Sequence, residues 1–236
     1  MDARQVLAAL VCTTLVAGGC GDDDVDPEVT FDAPRAGAVL FEDEFDDDTE
    51  GWGTTDTDEI KVSFEDGDYV WAFKLEPNPH LLPATIGDAF DAGTLEMQDV
   101  VVRASATVEA GEAVVGVWCR EVRDDDAEFK WYEFMVRNGF AAIRLADSEG
   151  NIEELASTKD VNAPLGEAMV IAAGCVDGDD GTAQLTLTLN DELVLRAADD
   201  DPLGNGGAGL GAYEAPQAED ASVVRWHDFS VSQVRS

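Results

Sequence analysis

Positive charge is what this chain has least of. Fourteen Lys and Arg, only four of them lysine, stand against 51 Asp and Glu, a formal charge of -37 over 236 residues. A surface of that sign repels a phosphate backbone and has few cations with which to release counterions, which excludes nucleic acid as a partner. Anionic lipid headgroups are disfavoured for the same reason. Histidine is equally scarce: His80 and His227 lie far apart and without ligand spacing, so a zinc site has no donor set. No segment offers a 3.6-residue apolar stripe of helical length. Apolar residues, by contrast, make up 45% of the chain and aromatics 8%. That is far from the composition of an acidic disordered tail, and it predicts one main domain with its own core.

Met1 to Arg4 is short and polar, and Val6 to Ala17 is apolar except for Thr13 and Thr14. The stretch is too short to span a bilayer and reads as an export signal. Ala17-Gly18-Gly19-Cys20 resembles the lipobox of bacterial lipoproteins, although Ala17 stands where Leu is commoner and Asp2 weakens the positive start. The resemblance implies a lipidated Cys20 as the mature N-terminus, export to the bacterial cell envelope, and membrane contact only through that lipid. An ordinary secretory signal cut near the same place is the alternative. Residues 20–37, with Asp22 to Asp24, Asp26, Pro27, Glu28 and Pro34, are expected to form an extended acidic tether between residues 1–19, the signal, and residues 38–236, the domain.

Once Cys12 leaves with the signal and Cys20 takes the lipid, Cys119 and Cys175 remain, each inside an apolar, strand-like run. In an exported protein such a pair reads as a disulfide. Closing so long a loop stabilises by about 4 kcal/mol on the chain-entropy account. A nucleophilic cysteine would need a partnered histidine, and nothing in the sequence places His80 or His227 beside either.

Beyond residue 38 the apolar residues alternate with period 2 between turn residues. The pattern predicts strands at about 39–45, 60–65, 68–75, 99–108, 113–121, 129–137, 140–146, 151–156, 168–176, 182–190, 192–197, 207–213 and 223–234. Glu65-Asp66-Gly67-Asp68, Asn138-Gly139 and Asn190-Asp191 read as hairpin turns. Short strands without crossover helices predict an all-β, antiparallel two-sheet sandwich. Leu185, Leu187 and Leu189, separated by Thr186 and Thr188, set an inward face worth roughly 1.5–3 kcal/mol per buried leucine. The same parity turns Val115, Val117, Cys119, Tyr132, Phe134, Val136, Ile143 and Leu145 inward. It turns Trp118, Arg120, Trp131, Glu133, Met135 and Arg144 outward. Trp52, Trp71 and Trp226 are expected in the core.

Phe41-Glu42-Asp43-Glu44-Phe45-Asp46 before Gly51-Trp52, then Gly67-Asp68-Tyr69, Gly116-Val117-Trp118-Cys119-Arg120, Trp131-Tyr132-Glu133-Phe134, Leu187-Thr188-Leu189-Asn190, Gly207-Ala208-Gly209-Leu210 and Trp226-His227-Asp228-Phe229-Ser230-Val231 follow in order. This series resembles the concanavalin A-like lectin/glucanase jelly rolls, in their bacterial extracellular branch. The resemblance covers residues 39–234 and implies a jelly-roll sandwich whose opening and closing strands are neighbours, with two cysteines where Cys119 and Cys175 fall. It does not carry one function, since the fold hosts lectins, glycosidases and structural modules. The Glu-x-Asp-x-x-Glu strand of its hydrolases is not present: the Glu128 to Glu133 stretch lacks the intervening Asp.

The outward set Trp118, Arg120, Trp131, Glu133 and Arg144 is therefore the candidate ligand site on the concave sheet, with indoles to stack on sugar rings and polar groups to bind hydroxyls. The bland reading is that the Leu75 to Leu95 excursion folds over these indoles and makes them a second core. No cofactor is expected apart from a structural calcium ion, for which Asp46 and Asp228 are the candidate ligands where first and last strands meet. The expected function is a non-catalytic, envelope-anchored module that binds a glycan or another envelope polymer. A divergent glycoside hydrolase and a structural protein-interaction domain are the alternatives.

Overall fold

The alternation of apolar and polar residues becomes two stacked antiparallel sheets in the computed structural model, which describes residues 30–46, 51–74, 82–85, 97–123, 129–215 and 220–235. The larger sheet has nine strands. In spatial order they are β13 (Glu192–Asp199), β12 (Ala183–Leu189), β11 (Ala168–Asp177), β6 (Val100–Ala110), β15 (Val223–Val234), β4 (Asp68–Phe73), β3 (Ile60–Glu65) and β2 (Thr55–Asp56), with β1 (Ala36–Asp43) also paired to β15. The six-stranded sheet runs β10 (Ile152–Thr158), β9 (Phe140–Asp147), β8 (Phe129–Arg137), β7 (Ala113–Arg123), β14 (Gly207–Glu214) and β5 (Leu82–Thr85). The opening and closing strands are neighbours, as the resemblance implies: Phe41 lies opposite Val231 and Asp43 opposite Phe229. The signal, Cys20 and the first part of the tether lie outside the described residues, as does the Leu75 to Leu95 excursion except for β5.

The core lies between the sheets and follows the expected parity. Leu185 and Leu187 of β12, Val115, Val117 and Cys119 of β7, Tyr132, Phe134 and Val136 of β8, and Ile143 of β9 are fully enclosed there. Trp52, Trp71 and Trp226 are buried in the same core, and Trp52 meets Phe229 edge-on at 5.2 Å and Phe45 at 5.2 Å. The Tyr69 hydroxyl donates to the carbonyl of Trp52 at 2.6 Å, which ties the segment after β1 onto β4.

Cys119 and Cys175 form a disulfide across the sandwich, from β7 in one sheet to β11 in the other, with Cα atoms 6.7 Å apart. Asp66 and Gly67 at the β3–β4 turn have φ of 57° and 83°, and Asn190 and Asp191 at the β12–β13 turn have 52° and 65°. Positive φ at both central residues matches the right-handed twist of the flanking strands.

Candidate functional site

Three of the expected site residues form a row across adjacent strands. Trp118 on β7 lies opposite Glu133 on β8, and Glu133 lies opposite Arg144 on β9. Trp131 precedes Glu133 by two and shares its face. Trp118, Trp131 and Ala146 pack with Phe129 in a small cluster separate from the core, on the outer face of the six-stranded sheet. On β14 the residues of that face are Gly207, Gly209 and Gly211, with Gly209 opposite Trp118 and Gly211 opposite Gly116. These three positions of β14 therefore add no side chain to the face. Gly116 has no room for more: a Cβ there would sit 2.2 Å from the Phe134 carbonyl oxygen.

The indoles are buried rather than presented as an open platform, Trp118 at 3% exposure and Trp131 at 9%. Trp118 Nε1 donates to Glu121 Oε2 at 3.0 Å. The Glu133 side chain is 2% exposed, and its carboxylate lies 3.6 Å from Arg144 NH1, beyond hydrogen-bond distance. Burial pushes the Glu133 pKa up, against the opposing pull of Arg144 and the nearby Trp131. Burial likewise pushes up Glu121, with the Trp118 hydrogen bond opposing. Arg144 NH1 donates to the Tyr213 hydroxyl at 3.1 Å. The guanidinium also lies over the Phe140 ring at 5.5 Å, and Arg137 does the same. Phe140, Arg144 and Tyr213 are partly exposed on this face, with the exposed Glu154 of β10 opposite Arg144 and the indoles packed beside them.

Two donors here have no acceptor. Arg144 Nε and Trp131 Nε1 are buried without a hydrogen-bond partner. Orphaned donors also occur at Trp71 and Trp226 in the core and at Arg120 Nε beside the disulfide, so an unpaired buried nitrogen does not by itself mark this face.

Arg120 departs from the expected arrangement. It takes φ 54°, and the pairing steps from Cys119 opposite Tyr132 to Val122 opposite Lys130, so one extra residue enters β7. This bulge reverses the parity and turns Arg120 away from Trp118. Its guanidinium donates to Asp177 Oδ1 at 2.6 Å, the Leu203 carbonyl at 3.0 Å and the Gln98 carbonyl at 3.4 Å. Arg120 therefore braces the two sheets beside the disulfide.

The calcium candidates do not assemble a donor set. Asp228 lies on the outer face of the nine-stranded sheet, 3.3 Å from Arg103 NH1. Asp46 follows β1, near the β3–β4 turn, where a Cβ on Gly67 would be 3.6 Å from its Oδ1. Among the described residues, no three His, Cys, Asp or Glu side chains gather closely enough to hold a metal ion. His227 stands on that same outer face, with Nδ1 2.7 Å from Asp68 Oδ1 and Nε2 2.9 Å from Thr107 Oγ1. Glu121, Phe140 and Tyr213 were not among the expected site residues. Tyr213 shares the parity of Gly207, Gly209 and Gly211, and Phe140 that of Arg144, so both were readable; Glu121 follows the bulge and was not.

No protein-family model matches the sequence, and no curated protein matches it. Solved structures do. A Bacillus subtilis protein of unknown function with a galectin-like fold aligns at TM-score 0.57 and 15% identity, over 86% of this chain and 100% of the other. A glycosidic hydrolase aligns at TM-score 0.55 and 8% identity, over 85% and 100%. The beta-glucanase of Bacillus licheniformis aligns at TM-score 0.53 and 8% identity, over 84% and 100%. At such identities the likeness is one of fold. With the strand order and the β1–β15 pairing it places this chain among the all-β, antiparallel concanavalin A-like jelly rolls.

Proposed function

We propose that the protein is a non-catalytic carbohydrate-binding jelly roll, held at the bacterial cell envelope by a lipid on Cys20, whose ligand meets the outer face of the six-stranded sheet at Phe140, Arg144 and Tyr213. The observation that carries this reading is the pair of partly exposed aromatic rings, Phe140 and Tyr213, held on that face by the Arg144 guanidinium. Sugar hydroxyls supply acceptors, and aromatic faces pack against the C–H face of a pyranose. The galectin-like and glucanase neighbours share the fold and are consistent with a sugar ligand. A glycan array on a soluble form lacking residues 1–37, repeated with Trp118→Ala, Trp131→Ala and Tyr213→Ala, tests it. Binding that falls at least tenfold in Tyr213→Ala supports the site; wild type that binds no glycan overturns the reading.

A divergent glycoside hydrolase is the second reading, favoured by one observation: Glu121 and Glu133 both have pKa values raised by burial, and both neighbour Trp118. An upward shift is the direction a general acid needs. Turnover of fluorogenic glycosides that disappears in Glu133→Gln would establish this reading in place of the first.

A further inference from the structure

Thr186 is buried although it points away from the core. Leu185 and Leu187 of β12 face inward, so Thr186 lies on the outer face of the nine-stranded sheet, yet it is 1% exposed. Its neighbours across the ladders are Gly174 on β11 and Arg196 on β13. The chain's own residues 31–35, which precede β1, lie over this row.

Pro34 fills the notch that glycine leaves: a Cβ on Gly174 would sit 2.6 Å from Pro34 Cδ and 2.5 Å from Thr186 Oγ1. Proline brings no N–H, so it rests on a sheet whose own donors are already paired without leaving one of its own unsatisfied. Arg196 Nε donates to the Phe31 carbonyl. At the other end the Arg235 N–H donates to the Arg35 carbonyl at 2.8 Å, which leads the chain into β1. Phe31, Ala33 and Pro34 are each partly covered, while Thr30 is exposed. The segment is thus clipped at both ends and plugged in the middle. It leaves the domain beside β13, on the opposite side of the sandwich from Phe140, Arg144 and Tyr213.

Resting on the envelope-anchored reading above, we infer that residues 31–35 are a strap that orients the anchored domain, with the outer face of the nine-stranded sheet turned to the membrane and that of the six-stranded sheet turned away. From Cys20 the chain reaches at most about 40 Å to Phe31, whereas without the strap it would reach about 58 Å to Ala36. The shorter leash is no longer than β15, whose 12 residues extend about 40 Å. A domain turned over would have to stretch that leash around the sandwich. With the strap docked, a polymer outside the membrane meets the six-stranded sheet without passing beneath the domain.

The test has two arms. In soluble protein lacking residues 1–20, chymotrypsin cleavage after Phe31 is expected to be at least tenfold slower than in the double variant Pro34→Gly, Arg196→Gln, which removes the plug and the clip without touching the core. Equal rates would mean that the strap is not docked, and would overturn the inference. In the second arm the lipidated full-length protein sits on phosphatidylcholine vesicles that carry an energy-transfer acceptor in their headgroups. A donor is attached at Ala198→Cys, exposed on the outer face of β13, or at Glu154→Cys, exposed on the outer face of β10. Transfer is expected to be at least twofold higher from the β13 label, and the two labels are expected to converge in the double variant. Equal transfer in wild type, or a difference that persists in the double variant, overturns the strap as the orienting element and leaves the anchored reading standing. Protein that carries no lipid on Cys20 and does not bind vesicles ends the anchored reading and this inference with it.

Discussion

Arg120 and Asp177 form an ion pair, 2.6 Å from NH2 to Oδ1, one residue beyond Cys119 and two beyond Cys175. The covalent and the ionic link therefore join the same two strands, β7 and β11, side by side. Arg120 is 2% exposed and Asp177 38%, so the cation is dehydrated and its partner remains half in water. Arg120→Ala removes the pair and leaves the Leu203 and Gln98 carbonyls without their donor. A loss of about 2–3 kcal/mol in urea unfolding is expected, with a smaller loss of about 1 kcal/mol for Asp177→Asn. Equal costs for the two would mean that the carbonyl contacts are unimportant.

Removing the disulfide acts on the unfolded chain. The bridge spans a sequence separation of 56 residues, so the double variant Cys119→Ala, Cys175→Ala is expected to lose about 3–4 kcal/mol. Denaturant titration with and without reductant measures it. Labelling of both thiols in unfolded, unreduced protein would show that the bond does not form.

The β12–β13 turn holds a residue with a side chain where glycine is cheaper. Asp191 has φ 65°. Asp191→Gly should raise stability by about 0.5–1 kcal/mol, visible as a higher thermal midpoint. A lower midpoint would mean that the Asp191 side chain contributes more than its backbone strain costs.

Glu133 gives the pH signature. Burial raises its native pKa above that of the unfolded chain. Between those two values the native state holds a proton that unfolding releases, so stability falls as pH rises through the window just above the ordinary glutamate range. Glu133→Gln cannot show that fall. Unfolding free energies measured from pH 4 to 8 should therefore decline in wild type relative to the variant. Parallel curves would mean that Glu133 stays ionised in the folded protein across that range.

Most of the strands were legible because a half-buried strand writes its pleat into the sequence, as Leu185, Leu187 and Leu189 do. The exceptions have local causes. Thr55–Asp56 is too short to show a period, and Leu82–Thr85 contains Pro83, which argues against a strand unless it lies at an edge; β5 is the edge strand beside β14. Arg120 was misplaced because parity counting assumes an unbroken ladder, and the bulge adds one residue between Cys119 and Val122. The row Trp118, Glu133, Arg144 followed from parity alone. The burial of Trp118 and Trp131 in a second cluster was the alternative reading, which alternation alone does not decide because it reports which side a residue takes and not what lies over that side.

The pairing of β1 with β15 also sets a load path. Tension entering at Ala36 would pass through the β1–β15 ladder, across β6 into β11, and over the Cys119–Cys175 bond into β7. The covalent bridge is then the one step in that path which cannot peel, whereas each ladder before it is held by hydrogen bonds alone.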